Sequence, residues 1–135
     1  MAAAQILIVD DDETSCRTCA AALALEGYEV RVSTAPEEAL EQLAIAPPDA
    51  ILLDFKMPFI NGVGFLYRVR ANPASQHIPV ALITGAVLDD LTSGELRALG
   101  ADVWHKPVWL EDVLEITRGL LAKGSAPRLQ NRSGV

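Results

Sequence analysis

The sequence predicts a doubly wound α/β fold: a five-stranded parallel sheet with helices on both faces, three layers deep. Three observations carry this. Apolar or alternating runs of strand length recur five times, each is followed by a stretch of helical periodicity, and the connections are short. A parallel strand pair joined by a helix must cross over right-handed, so that the helix packs back onto the sheet. The 135 residues, half of them hydrophobic, suffice for one such domain and its core.

The elements follow in chain order. The continuous run "QILIV" is a first strand covered on both faces. The first helix runs from about Glu13 to Glu26, buries Cys16, Cys19, Ala20 and Leu23 at i, i+3, i+4 and i+7, and stops at Gly27. "YEVRVS" alternates, with Val30 and Val32 on one face and Glu29 and Arg31 on the other, the pattern of an edge strand. The second helix begins with Thr34, whose hydroxyl is expected to form a capping box with Glu37, and ends before Pro47-Pro48. "AILL" leads into Asp54. A third helix follows Asn61-Gly62 and buries Phe65, Leu66 and Val69. "VALIT" is the fourth strand, and the helix near Asp89 to Leu99, carrying Thr92, Ser93 and Gly94, should be the least stable. "ADVWH" is the fifth strand. The last helix, about Leu110 to Ala122, is expected to bury Leu110, Val113, Leu114 and Leu121. Residues 1–123 thus form the domain, and 124–135, without periodicity, read as a flexible tail or linker stub.

Composition excludes several classes. A net charge of -7 with scattered basic residues argues against direct contact with nucleic acid, which needs clustered Lys and Arg. The longest apolar runs are too short to span a membrane, and "MAAAQILIVD" lacks the features of a signal peptide, so the expected location is cytoplasmic. Cys16 and Cys19 form a C-x-x-C, but both lie on the buried helix stripe and no second Cys or His pair completes a zinc set. His77 and His105 have no ligand spacing.

In a doubly wound fold, function gathers outside the carboxyl ends of the strands. There strand one ends in Asp10, Asp11 and Asp12, strand three in Asp54, strand four in Thr84 and strand five in Lys106. Singly, each reads as a helix cap or a solvated end. Together, several carboxylates on one edge repel unless a cation neutralises them, and an oxygen-only set points to Mg2+. A lysine and a hydroxyl complete the parts for handling a phosphoryl group. No Gly-rich phosphate loop accompanies them, which leaves a nucleotide-triphosphate site unsupported.

The motifs "ILIVDDDE", "ILLDFKMPFINGVGF", "IPVALITG" and "GADVWHKP", with the helix after them, occur in the order in which they stand in the receiver domains of two-component response regulators, and the chain resembles that family from about Ile6 to Lys123. The resemblance implies the flavodoxin-like strand order 2-1-3-4-5. It also implies a phosphoacceptor at Asp54, a switch hydroxyl at Thr84 and an active-site lysine at Lys106. Asp11, Asp54 and the backbone carbonyl of Lys56 match the direct Mg2+ ligands, with Asp10 acting through water. It further implies a cis bond between Lys106 and Pro107. The implied partners are a sensor histidine kinase or phosphotransfer protein and an unknown downstream target. They would meet the face of helix four, strand five and helix five, through which a homodimer could also form. The domain would catalyse only its own phosphorylation and dephosphorylation rather than act as a turnover enzyme.

Two departures bear on the switch. The family's Tyr or Phe three residues before the lysine is Val103 here, with Trp104 next to it, and Gly100 to Lys106 is one residue shorter than usual. Trp104 is therefore expected to take over as the reporting aromatic, or the fourth helix to act alone. Two other functions compete. "DDDET" also resembles the nucleophile motif of haloacid-dehalogenase-type phosphatases, which would make Asp10 the nucleophile. Against it, no G-D-x-x-x-D follows Lys106 and the stretch from Asp54 to Pro58 would be unexplained. The third reading is a receiver-like docking module that is never phosphorylated.

Overall fold

The computed structural model describes residues 3–54 and 62–125, the side chain of residue 125 apart. Ten elements alternate: β1 (Gln5–Val9), α1 (Glu13–Leu25), β2 (Glu29–Ser33), α2 (Pro36–Ile45), β3 (Ala50–Asp54), α3 (Gly62–Ala71), β4 (Val80–Thr84), α4 (Asp90–Ala98), β5 (Ala101–His105) and α5 (Leu110–Ser125). The strands form one parallel sheet in the order β2-β1-β3-β4-β5. The unbroken apolar runs of β1, β3 and β4 are central, as two-sided burial requires, and the alternating β2 is an edge.

Because successive strand residues point to opposite faces, the sheet builds two cores. On one face Leu7, Val9, Ile51, Leu53, Val80 and Leu82 pack with Leu43 of α2, with Phe65, Leu66 and Val69 of α3, and with Leu96 of α4. On the other, Ile6, Ile8, Leu52 and Ala81 pack with Cys16 and Leu23 of α1 and with Val113, Ile116 and Leu120 of α5. The result is three layers, α/β/α.

Two local expectations fail. The Thr34–Glu37 capping box does not form: the N-cap of α2 is Ala35 and Pro36 occupies the first turn, where its fixed φ and missing N–H suit a helix start. The Ser33 hydroxyl takes the Ala35 amide instead, at 3.3 Å, and Glu37 pairs with Arg68 of α3 at 2.8 Å. Leu110 is not buried but 42% exposed, and the buried stripe of α5 is Val113, Ile116, Thr117 and Leu120. Thr117 tolerates burial because its hydroxyl donates to the Val113 carbonyl at 2.8 Å.

Candidate functional site

Asp10 is the first residue beyond β1, and its amide, bonded to the Ser33 carbonyl at 3.1 Å, ties that end to β2. One of its carboxylate oxygens accepts the Asp12 amide at 3.0 Å, which fixes the turn into α1. Asp12 is the N-cap of α1: its Oδ1 accepts the amides of Thr14 and Ser15 at 3.0 and 3.2 Å. Asp11, between them, is exposed. From the neighbouring strand, Asp54 is the last residue of β3, its side chain only 13% exposed.

These placements make a cluster. Asp10, Asp11 and Asp54 each offer a carboxylate oxygen, and the three atoms lie within 4.8 Å of one another. Asp12 is outside the set, since its carboxylate serves the helix. Burial, together with the charge of Asp54, pushes the Asp10 carboxyl up to about 6, against the lowering effect of the Asp12 amide.

β4 and β5 supply the other two groups. Thr84, 1% exposed, ends β4, and its Oγ1 accepts the Ala86 amide at 2.9 Å. The Lys106 amide donates to the Thr84 carbonyl at 2.8 Å, which extends the β4–β5 ladder past His105, and the Lys106–Pro107 bond is cis. Lys106 Nζ reaches 3.8 Å from Asp54 Oδ1, an ion pair longer than a hydrogen bond. The lysine stem passes Gly85: a Cβ there would meet Lys106 Cδ at 3.7 Å. A cavity of about 330 Å³ is lined by Asp10, Asp54 and Lys106 and also by Cys19 and Val113. Cys16 and Cys19 are free thiols, and burial pushes the Cys16 thiol up to about 12, which leaves it without thiolate character.

The donor chemistry fits Mg2+. Three hard oxygens from separate carboxylates lie within 4.8 Å of one another, near enough to gather around one ion directly or through its water. The Asp10 carboxyl is raised first by its burial and then by the neighbouring charge of Asp54. Lys56, whose carbonyl was expected among the ligands, lies outside the described residues.

On β5, Val103 packs on the α4 side of the sheet, alongside Leu88, Leu96 and Leu99. Trp104, 41% exposed, alternates to the side of α1 and α5, and pairs in register with Ile83. The residue opposite Thr84 is His105. Sequence reading gave His105 no role, because its relation to Thr84 exists only in the strand register.

Comparison with known proteins bears on the family and the fold. A family model, that of the response regulator receiver domain, matches residues 6–118. Response regulator PleD of Caulobacter vibrioides is 37% identical over 120 residues, covering 85% of this chain and 25% of PleD. Transcriptional regulatory protein PrrA of Mycobacterium leprae is 32% identical over 123 residues, covering 90% of this chain and 52% of PrrA. The chain therefore spans about a quarter and about half of these two relatives. Among solved structures, chemotaxis protein CheY4 of Vibrio cholerae is similar with a TM-score of 0.81 and 30% identity, over 89% of this chain and all of that one. A CheY-like receiver domain protein of Methanospirillum hungatei gives 0.80 and 28%, over 90% and 96%.

Proposed function

The chain belongs to the response regulator receiver family and is a receiver domain of two-component signalling, and from that premise we propose that Asp54 accepts a phosphoryl group in a magnesium-dependent reaction. The observation that carries the proposal is the convergence of Asp10, Asp11 and Asp54 with Lys106 at one sheet edge.

The donor is a phosphohistidine of a sensor kinase or phosphotransfer protein. The Asp54 carboxylate oxygen forms a bond to phosphorus as the phosphorus–nitrogen bond breaks, and the imidazole leaves with the electron pair. Asp11 and Asp54 would hold magnesium, with Asp10 acting through water and the Lys56 carbonyl added by the family resemblance, and the ion would neutralise charge on the phosphoryl oxygens. Lys106 sits where its ammonium can pair with a phosphoryl oxygen once Asp54 is phosphorylated, and the Thr84 hydroxyl can donate to another while still accepting the Ala86 amide.

The domain in this reading turns over only its own phosphoryl group. Downstream protein, or a second copy in a homodimer, meets the α4–β5–α5 face, where Val87, Leu91, Trp109 and Leu110 are exposed. A cytoplasmic setting is part of the proposal and agrees with the two free thiols. No helix among the described residues is long and apolar enough to cross a membrane.

The test is intact-mass analysis after incubation with acetyl phosphate and magnesium. One added phosphate is expected, absent in Asp54→Asn and on chelation of the metal. An adduct that persists at the same level in both controls would refute the proposal.

A further inference from the structure

We infer that His105 is the side chain through which engagement of Thr84 is passed to the β4–α4 connection and the N-terminal half of α4, an inference that rests on the reading of Asp54 as phosphoacceptor. The strand register supplies the first observation. Leu82, Ile83 and Thr84 pair with Val103, Trp104 and His105 respectively. Val103 packs on the α4 side with Leu82, so alternation puts His105 on that side too, directly opposite the switch hydroxyl, and Trp104 on the other. Trp104 is thus separated by the sheet from the element it would have to move.

A second observation concerns what moves. The Thr84 hydroxyl holds the Ala86 amide at 2.9 Å, so a hydroxyl drawn toward a phosphoryl oxygen draws the start of the β4–α4 connection with it. Along that connection Leu88 packs on the core beside Val103, whereas Val87 is almost fully exposed and Leu91, in the first turn of α4, is exposed as well. His105 is exposed at the end of the edge strand beside it, and its imidazole offers a donor and an acceptor that Val103 lacks.

The third observation fixes where the motion appears. Arg70 anchors the far end of α4: its Nε donates to the Leu99 carbonyl at 2.8 Å while Nη1 donates to the Gln76 and Ile78 carbonyls at 3.1 and 2.6 Å. Tyr67 adds a bond to Glu95 at 3.1 Å. Its C-terminal half is thus tied to α3 and the α3–β4 loop, whereas its N-terminal end is held by a cap within the helix itself, the Asp89 carboxylate on the Thr92 amide at 2.7 Å, so the response to Thr84 is expected at that end. His105 stands at that end and acts as a positioning residue for the displaced connection.

The test uses the protein with magnesium and beryllofluoride, bound fluoride followed by 19F NMR and the amides of Val87 to Leu91 by 1H–15N spectra. In wild type these amides shift on binding. In His105→Ala, with bound fluoride unchanged, the shifts should fall to less than half; His105→Gln, which keeps a donor and an acceptor, should recover most of them, and Trp104→Phe should keep them in full. Full shifts in His105→Ala, or their loss in Trp104→Phe, overturn the inference and leave the phosphoacceptor reading intact. Absence of a bound-fluoride signal in wild type overturns both.

Discussion

Asp12 commits one carboxylate oxygen to the amides of Thr14 and Ser15, whereas Asp10 and Asp11 bring theirs to Asp54. Removing either kind of group should therefore have a different signature. Asp12→Ala should cost about 1 kcal/mol in denaturant unfolding, the usual loss of a helix cap, with magnesium affinity retained. Asp11→Ala should leave stability close to wild type and weaken magnesium binding in titrations followed by amide shifts; the opposite pattern would exchange the two roles. Asp10 adds a pH signature. Its native carboxyl is raised from 3.8 to about 6, so the metal-free fold binds that proton more tightly than the unfolded chain does. The associated stability is fully present below the unfolded value and is lost as pH rises through about 6. The melting temperature of metal-free wild type relative to Asp10→Asn should accordingly fall between about pH 4 and pH 7, and magnesium should raise wild type more at pH 7 than at pH 5. A difference between the two proteins that is flat with pH would remove Asp10 from the charge cluster.

Among the elements, α4 has one fully buried side chain, Leu96, and carries Gly94 in its interior. A Cβ at Gly94 would meet nothing within 4 Å, so Gly94→Ala should stabilise the domain by about 0.5–1 kcal/mol, measured by denaturant unfolding. Gly100 makes the contrast: its φ of +79° is costly for any side chain, and Gly100→Ala should destabilise by about 1 kcal/mol. Equal effects at the two positions would contradict this account. Periodicity found every element of the fold, but it misjudged faces where polar residues share them. Thr117 broke the apolar pattern of α5, which hid the stripe of Val113, Ile116 and Leu120 and made Leu110 look buried. At α2 the Thr34–Glu37 spacing was genuine, yet Pro36 set the helix start, because a residue without N–H is placed most cheaply in the first turn.

Across the whole molecule, alternating strands and helices dictate a parallel sheet, but the order 2-1-3-4-5 is not contained in periodicity and was legible only through the family resemblance. Once strands are parallel, their carboxyl ends share an edge, which is why Asp10, Asp54, Thr84 and Lys106 could be grouped from sequence although they stand far apart along the chain. The face of a single β5 residue could not be read in that way. It depends on a register shift of one residue, and that shift separates Trp104 from His105 as neighbours of Thr84. The central claim, that the acceptor is Asp54 and not the other aspartates of the cluster, is tested most directly by chemical localisation. Protein treated with acetyl phosphate and magnesium is reduced with borohydride, which converts an aspartyl phosphate to homoserine, and the peptides are mapped by mass spectrometry. Homoserine at position 54 and at no other aspartate is the predicted result; homoserine at position 10, the nucleophile of a haloacid-dehalogenase-type phosphatase, would contradict it.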